Sequence, residues 1–122
     1  MTRDRRAAER RGRASELIAM VWLMLKGYRF LGRRLRTPHG EVDLAALKDG
    51  VFVIVEVKAR RTALAGSEAI GPHQQGRLTN AALHLARRWR LDGARLRFDL
   101  MVVGAGPWPL HWRGAWFDDR VR

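Results

Sequence analysis

The sequence predicts an α/β domain with its elements in the order α-β-β-α-β, and three observations carry that reading. Two β-rich runs, residues 41–47 and 51–59, flank Lys48-Asp49-Gly50, and Asp-Gly between such runs is a strong short-range hairpin signal. Helical periodicity appears in two separate stretches, one before the hairpin and one after it. Beyond the second stretch, Leu96, Phe98, Leu100 and Val102 alternate with Arg97, Asp99 and Met101, the pattern of a further strand. At 122 residues, 47% hydrophobic with five Trp, the chain can bury one core, assigned to residues 14–122.

Taken in order, residues 1–13 carry charge without apolar periodicity and predict a flexible basic arm. From Ala14 the chain turns helical. Leu17, Val21 and Leu25 recur every fourth residue, Glu16 shares a second stripe with Ala19, Met20 and Leu23, and Gly27 stands where a C-cap belongs. A short strand is expected over 28–31. Arg33, Arg34 and Arg36 then lead to the turn signal Pro38-His39-Gly40. Past the hairpin, residues 60–71 read as a loop. Pro72 opens the second helix, whose stripe is Leu78, Ala82, Leu85 and Trp89, and Gly93 closes it. Residues 108–117 suggest a short terminal hairpin, with Trp108, Trp112 and Trp116 closing a core edge, meeting a second copy in a homodimer, or stacking on bases.

The charge narrows the function. Twenty-four basic residues against 12 acidic ones give +12. Residues 1–36 hold 11 of the basic and three of the acidic side chains. Arginine's planar fork pairs with phosphate, so nucleic acid is the expected partner. The longest apolar run, residues 17–25, has nine residues against the ~18 to 20 that span a bilayer, so no membrane partner is expected. Without cysteine there is no disulfide framework or thiol nucleophile, and the cytoplasm is the expected compartment. His39, His73, His84 and His111 lack metal-ligand spacing and read as turn or surface residues.

With Asp49 and Gly50 as the central turn residues, Lys48 faces Val51, Leu47 faces Phe52, Asp43 faces Glu56 and Glu41 faces Lys58. Opposed Cβ atoms lie ~4.5 to 5.5 Å apart, where two carboxylates repel unless a cation answers them. Two hard oxygen ligands at that spacing suit Mg²⁺.

Gly40-Glu41-Val42-Asp43-Leu44 and, thirteen positions from Asp43, Val55-Glu56-Val57-Lys58-Ala59-Arg60 resemble the nuclease motif Asp…(Asp/Glu)-X-Lys, PD-(D/E)XK, of the restriction-endonuclease-like superfamily. More closely, the chain resembles uncharacterised protein family 0102, the YraN-like proteins. The match also takes in Glu16, Lys26-Gly27-Tyr28, the helix with Arg77-Leu78 and Leu85, and Arg97-Phe98-Asp99, over roughly residues 12–103. The resemblance implies a central mixed sheet flanked by helices, similar to archaeal Holliday-junction resolvases, and a metal-dependent endonuclease activity on DNA, branched or structured. It implies that Asp43 and Glu56 ligate Mg²⁺ or Mn²⁺, that Lys58 orients or activates the attacking water, and that Glu16 completes the acidic cluster, unless Glu16 caps or solvates its helix. Where the family often has lysine, this chain has Gln74 and Gln75, either of which contacts the site or lies on the surface. Arg33, Arg34, Arg36, Arg60 and Arg61 are the expected phosphate contacts. The competing reading is a nucleic-acid-binding protein, or a subunit of a DNA-processing complex, that keeps the fold without catalysis.

Overall fold

A computed structural model describes residues 3–62 and 70–116, with side chains from residue 12 onward in those segments. It contains α1 (Arg3–Leu25), β1 (Arg29–Thr37), β2 (Gly40–Lys48), β3 (Val51–Ala59), α2 (Pro72–Arg88), β4 (Arg95–Val103) and β5 (Leu110–Trp116). The strands form one sheet in chain order. Every neighbouring pair is antiparallel except β3–β4, a parallel pair joined by the crossover through α2. The sheet is therefore mixed, and the fold is α/β. No helix among the described residues is long and apolar enough to cross a membrane.

The hairpin forms as its sequence dictates. Asp49 and Gly50 both adopt positive φ, 52° and 77°, the geometry whose twist matches the strands, and the register runs from Lys48–Val51 to Leu44–Val55. Both faces of β3 are covered, which is why its apolar run is nearly continuous. Phe52 and Ile54 pack with Leu78, Ala82 and Leu85 of α2, while Val53 and Val55 pack with Ala19 and Leu23 of α1. Trp89 meets the first cluster edge-on at Phe52, 5.9 Å between centroids.

The structure corrects the sequence reading at five places. The observed order is α-β-β-β-α-β-β, two strands longer than expected. One addition is β1, a nine-residue edge strand rather than a short one over 28–31; its Arg33 and Arg36 are exposed while Leu31 and Leu35 lie against the core, and a register shift between Phe30 and Gly32 breaks the alternation that would have marked the strand. The other is β5, a single strand that pairs with β4 instead of a hairpin of its own; Phe117 lies outside the described residues.

The first helix starts at Arg3, so residues 3–13 continue α1 instead of forming an irregular arm; the side chains of 1–11 lie outside the description. Its Leu17–Val21–Leu25 stripe points away from the sheet, 41, 50 and 77% exposed, and the stripe that packs is the second one, with Glu16, Ala19 and Leu23. Finally, α2 stops at Arg88, with Arg90 at φ 58° where Gly93 was expected to close it. Gly27 does cap α1: at φ 89° its N–H donates to Met24 O, and Tyr28 N–H reaches back to Leu23 O.

Candidate active site

The hydrogen-bonded ladder between β2 and β3 ends at Leu44–Val55, one pair short of Asp43 and Glu56. Beyond it Val57 N–H donates to the Asp43 side chain, Oδ2, at 2.9 Å, so a carboxylate stands where a carbonyl would continue the sheet. The strands part there, opening a cavity of about 390 Å³ lined by Ser15 and Glu16 of α1 and by Asp43, Glu56 and Lys58. Glu41 does not join it opposite Lys58 as the register had implied, because the β2–β3 ladder has already ended at Leu44–Val55, and Glu41 pairs only with Arg36 of β1.

Burial sets the electrostatics. Glu56 is 6% exposed; burial, followed by the charge of Asp43, pushes its carboxyl up to about 8. Burial likewise raises Asp43, against the Val57 N–H that favours its charged form. Glu56 Oε1 is fixed by Gln74 Nε2, which donates at 3.3 Å, and by Lys58 Nζ at 3.5 Å. Glu56 Oε2 is buried with no hydrogen-bond donor among the described residues. Burial and mutual repulsion favour a proton held between the two facing carboxyls, and Glu56 Oε2, which no donor group among the described residues reaches, is the oxygen left to carry it until a cation takes its place. Each acid thus has one oxygen held by the protein, and Glu56 keeps one with no partner, a donor set that fits a hard divalent cation. Among the described residues no three His, Cys, Asp or Glu side chains are grouped to hold a metal ion, so those residues would supply two ligands, Asp43 and Glu56.

Each expected site residue has a definite place. Asp43, Glu56 and Lys58 converge. Glu16 lines the cavity, but its Oε2 accepts from Arg34 Nε at 2.9 Å, an ion pair that opposes the rise burial imposes on its carboxyl. Arg34, exposed on β1 at φ 51°, therefore has its guanidinium paired with Glu16 within the chain. Gln74 reaches Glu56, whereas Gln75 Nε2 donates to Ile70 O at the start of its own helix. Arg33 and Arg36 are exposed on β1. Arg60 and Arg61 are exposed at the end of β3, where they line an adjoining cavity of about 480 Å³ that shares Ser15, Ala59 and Arg60 with the acidic one.

One polar cluster was not foreseen. Asp99, fully buried on β4, accepts from Arg97 Nε and Nη2 at 2.8 Å each, from His111 Nε2 at 2.7 Å and from Gly114 N–H at 3.0 Å. Burial alone would raise its carboxyl; the bonds from His111, Arg97 and Gly114 hold it below the ordinary value. With Nε2 donating, His111 Nδ1 accepts from Lys26 Nζ at 2.8 Å, and Arg97 Nη2 donates to Tyr28 Oη at 2.6 Å. His111, expected at the surface, has a side chain only 3% exposed. The odd positions of a strand buried on both faces were the available signal: a charge at position 99 needs partners.

A five-stranded mixed sheet between two helices, with an acidic pocket where two strands part, defines an α/β protein broadly compatible with a nuclease-like core. The chain belongs to the uncharacterised protein family UPF0102, whose family model matches residues 15–103, from the inward face of α1 to the end of β4. It is 50% identical over 117 residues to a UPF0102 protein of Maricaulis maris, covering 95% of this chain and 92% of that one. A UPF0102 protein of Caulobacter vibrioides is 47% identical over 90% of this chain and 89% of its own, and one of Agrobacterium fabrum 46% identical over 91% and 92%.

Proposed function

We propose that this protein is a Mg²⁺- or Mn²⁺-dependent phosphodiesterase acting on DNA, branched or otherwise structured. The single observation that supports this reading best is the Asp43–Glu56 pair, half-buried and buried, with one Glu56 oxygen that no donor group among the described residues answers, in a chain of net charge +12. When bound between the two carboxylates, the metal would supply charge neutralisation for the phosphate and a more acidic water. The protein's own residues do the positioning. Val57 N–H holds Asp43, Gln74 holds Glu56, and Lys58, in the same cavity, is placed to orient a water or hold its proton. Arg60 and Arg61 lie along the adjoining cavity, where a phosphate backbone leaving the site would find cations.

The test is cleavage of labelled duplex, single-stranded and four-way-junction DNA with Mg²⁺, Mn²⁺ or EDTA. Glu56→Gln is expected to lower the rate by on the order of a thousandfold while leaving DNA affinity nearly unchanged. Cleavage that persists in the variant would overturn the assignment. A second reading, a DNA-binding protein without catalysis, is favoured by one feature: Glu16 is tied to Arg34 instead of completing a trio of ligands. That reading predicts retained binding with no metal-dependent cleavage.

A further inference from the structure

The outward face of α1 is too apolar for a solvated helix. Ala14, Leu17, Val21 and Met24 are spaced three, four and three residues apart, a coiled-coil seam, with Ile18 and Leu25 widening it. All of these side chains are exposed, the five large ones from 41 to 77%. They stand on the side of the helix opposite Glu16, Ala19 and Leu23, which pack inward. Trp108, 66% exposed, extends the face by stacking on Trp22, their rings 5.5 Å apart. The groove so formed, about 440 Å³, is lined by no charged residue, although 30% of the chain is charged.

We infer that this face is a homodimer interface, in which α1 packs antiparallel against α1 of a second copy. The spacing supports a helix as the occupant, since knobs at three- and four-residue intervals seat in the holes of another helix. The area supports a copy of the chain. The exposed apolar side chains offer on the order of 600 Å², and Trp22, Pro107 and Pro109 bring this near the ~800 Å² per partner of a stable interface. Charge sets the direction. Six arginines fall within the first 13 residues, and the last turn of α1 carries no basic residue. An antiparallel pair keeps the two basic halves at opposite ends of the seam; a parallel pair would stack like charges.

Sedimentation equilibrium of the full chain at about 100 µM should give about 28 kDa, twice the 14.0 kDa of one chain, and Val21→Glu should weaken association at least tenfold. The absence of native cysteine gives a second test that does not depend on that variant folding. Under mild oxidation Val21→Cys should cross-link to itself, and a mixture of Leu17→Cys with Leu25→Cys should cross-link as heterodimers, since those positions flank Val21 symmetrically. Asp92→Cys, exposed elsewhere, should not cross-link. A 14 kDa species at that concentration, a dimer indifferent to Val21→Glu that also fails to cross-link, or a monomer captured through this face by phosphatidylserine vesicles would each overturn the inference. Leu17→Cys and Leu25→Cys cross-linking each to itself, with no mixed product, would overturn the antiparallel arrangement.

Discussion

Two buried acidic sites on neighbouring strands are built on opposite plans. Val55, next to Glu56, pairs with Asp99 across the parallel β3–β4 ladder. Asp99 is saturated by donors from Arg97, His111 and Gly114; Asp43 and Glu56 face each other, and one oxygen of the pair has no donor. Burial disfavours charge in both places, so the difference lies in what answers the charge. Where the chain supplies the cations, a buried carboxylate fastens structure. Where one lysine stands against two carboxylates, charge is left that, in the proposed function, a cation from outside would answer.

The largest effect expected from this contrast is on Asp99. Asp99→Ala would strand the buried ends of Arg97 and His111, and should cost about 3 to 5 kcal/mol in urea unfolding. A loss no greater than that of an exposed substitution would mean the network holds nothing together.

Next in size is the response to metal. At a hundredfold excess over Kd, Mg²⁺ should stabilise the unmutated protein by about 2.7 kcal/mol and Asp43→Asn by far less, read as a shift in Tm. Equal shifts would place the cation elsewhere.

The pH dependence of the two sites should run in opposite directions. Glu56 has a folded value of about 8, above its ordinary 4.5, so its contribution is fully present below 4.5 and is lost as pH rises through about 8. Asp99 is held below its ordinary 3.8, so its contribution is present above that value and is lost as pH falls through the lowered one. In EDTA, Glu56→Gln should flatten the alkaline loss and leave the acid limb alone. A variant that still loses stability toward pH 8 would assign that limb to another group.

The smallest effect is the stability of the metal-free protein. Asp43→Asn removes one of the two facing acids while nearly keeping shape, and should raise Tm in EDTA by a few degrees, or about 1 kcal/mol. A lower Tm would make Asp43 a structural acid held for the Val57 N–H.

These two regions were unequally legible. The turn's arithmetic holds as far as Leu44–Val55, because Asp49-Gly50 fixes the register, and Asp43 and Glu56 meet just beyond it, where their side chains line one cavity. That arithmetic overreached at Glu41, since nothing local signals that β2, paired with β1 from Gly40 to Leu47, pairs with β3 only from Leu44 to Lys48. The Asp99 cluster gathers residues 26, 28, 97, 99 and 111 from the end of α1, the chain before β1, and β4 and β5, contacts without a local pattern. On α1 both stripes satisfy a helical period, and only the sheet decides which one packs. Leu17, Val21 and Leu25 are the larger side chains, yet the helix turns Ser15, Glu16 and Ala19 inward, which brings Ser15 and Glu16 to the edge of the acidic cavity.

The central claim is that Asp43 and Glu56 share a proton which a divalent cation displaces, and calorimetric titration of Mg²⁺ at pH 7 in two buffers of different ionisation enthalpy measures it most directly. The unmutated protein should release about one proton for each Mg²⁺ bound, and Glu56→Gln should release almost none and bind more weakly. Mg²⁺ binding without proton release, or binding unchanged by Glu56→Gln, would contradict it.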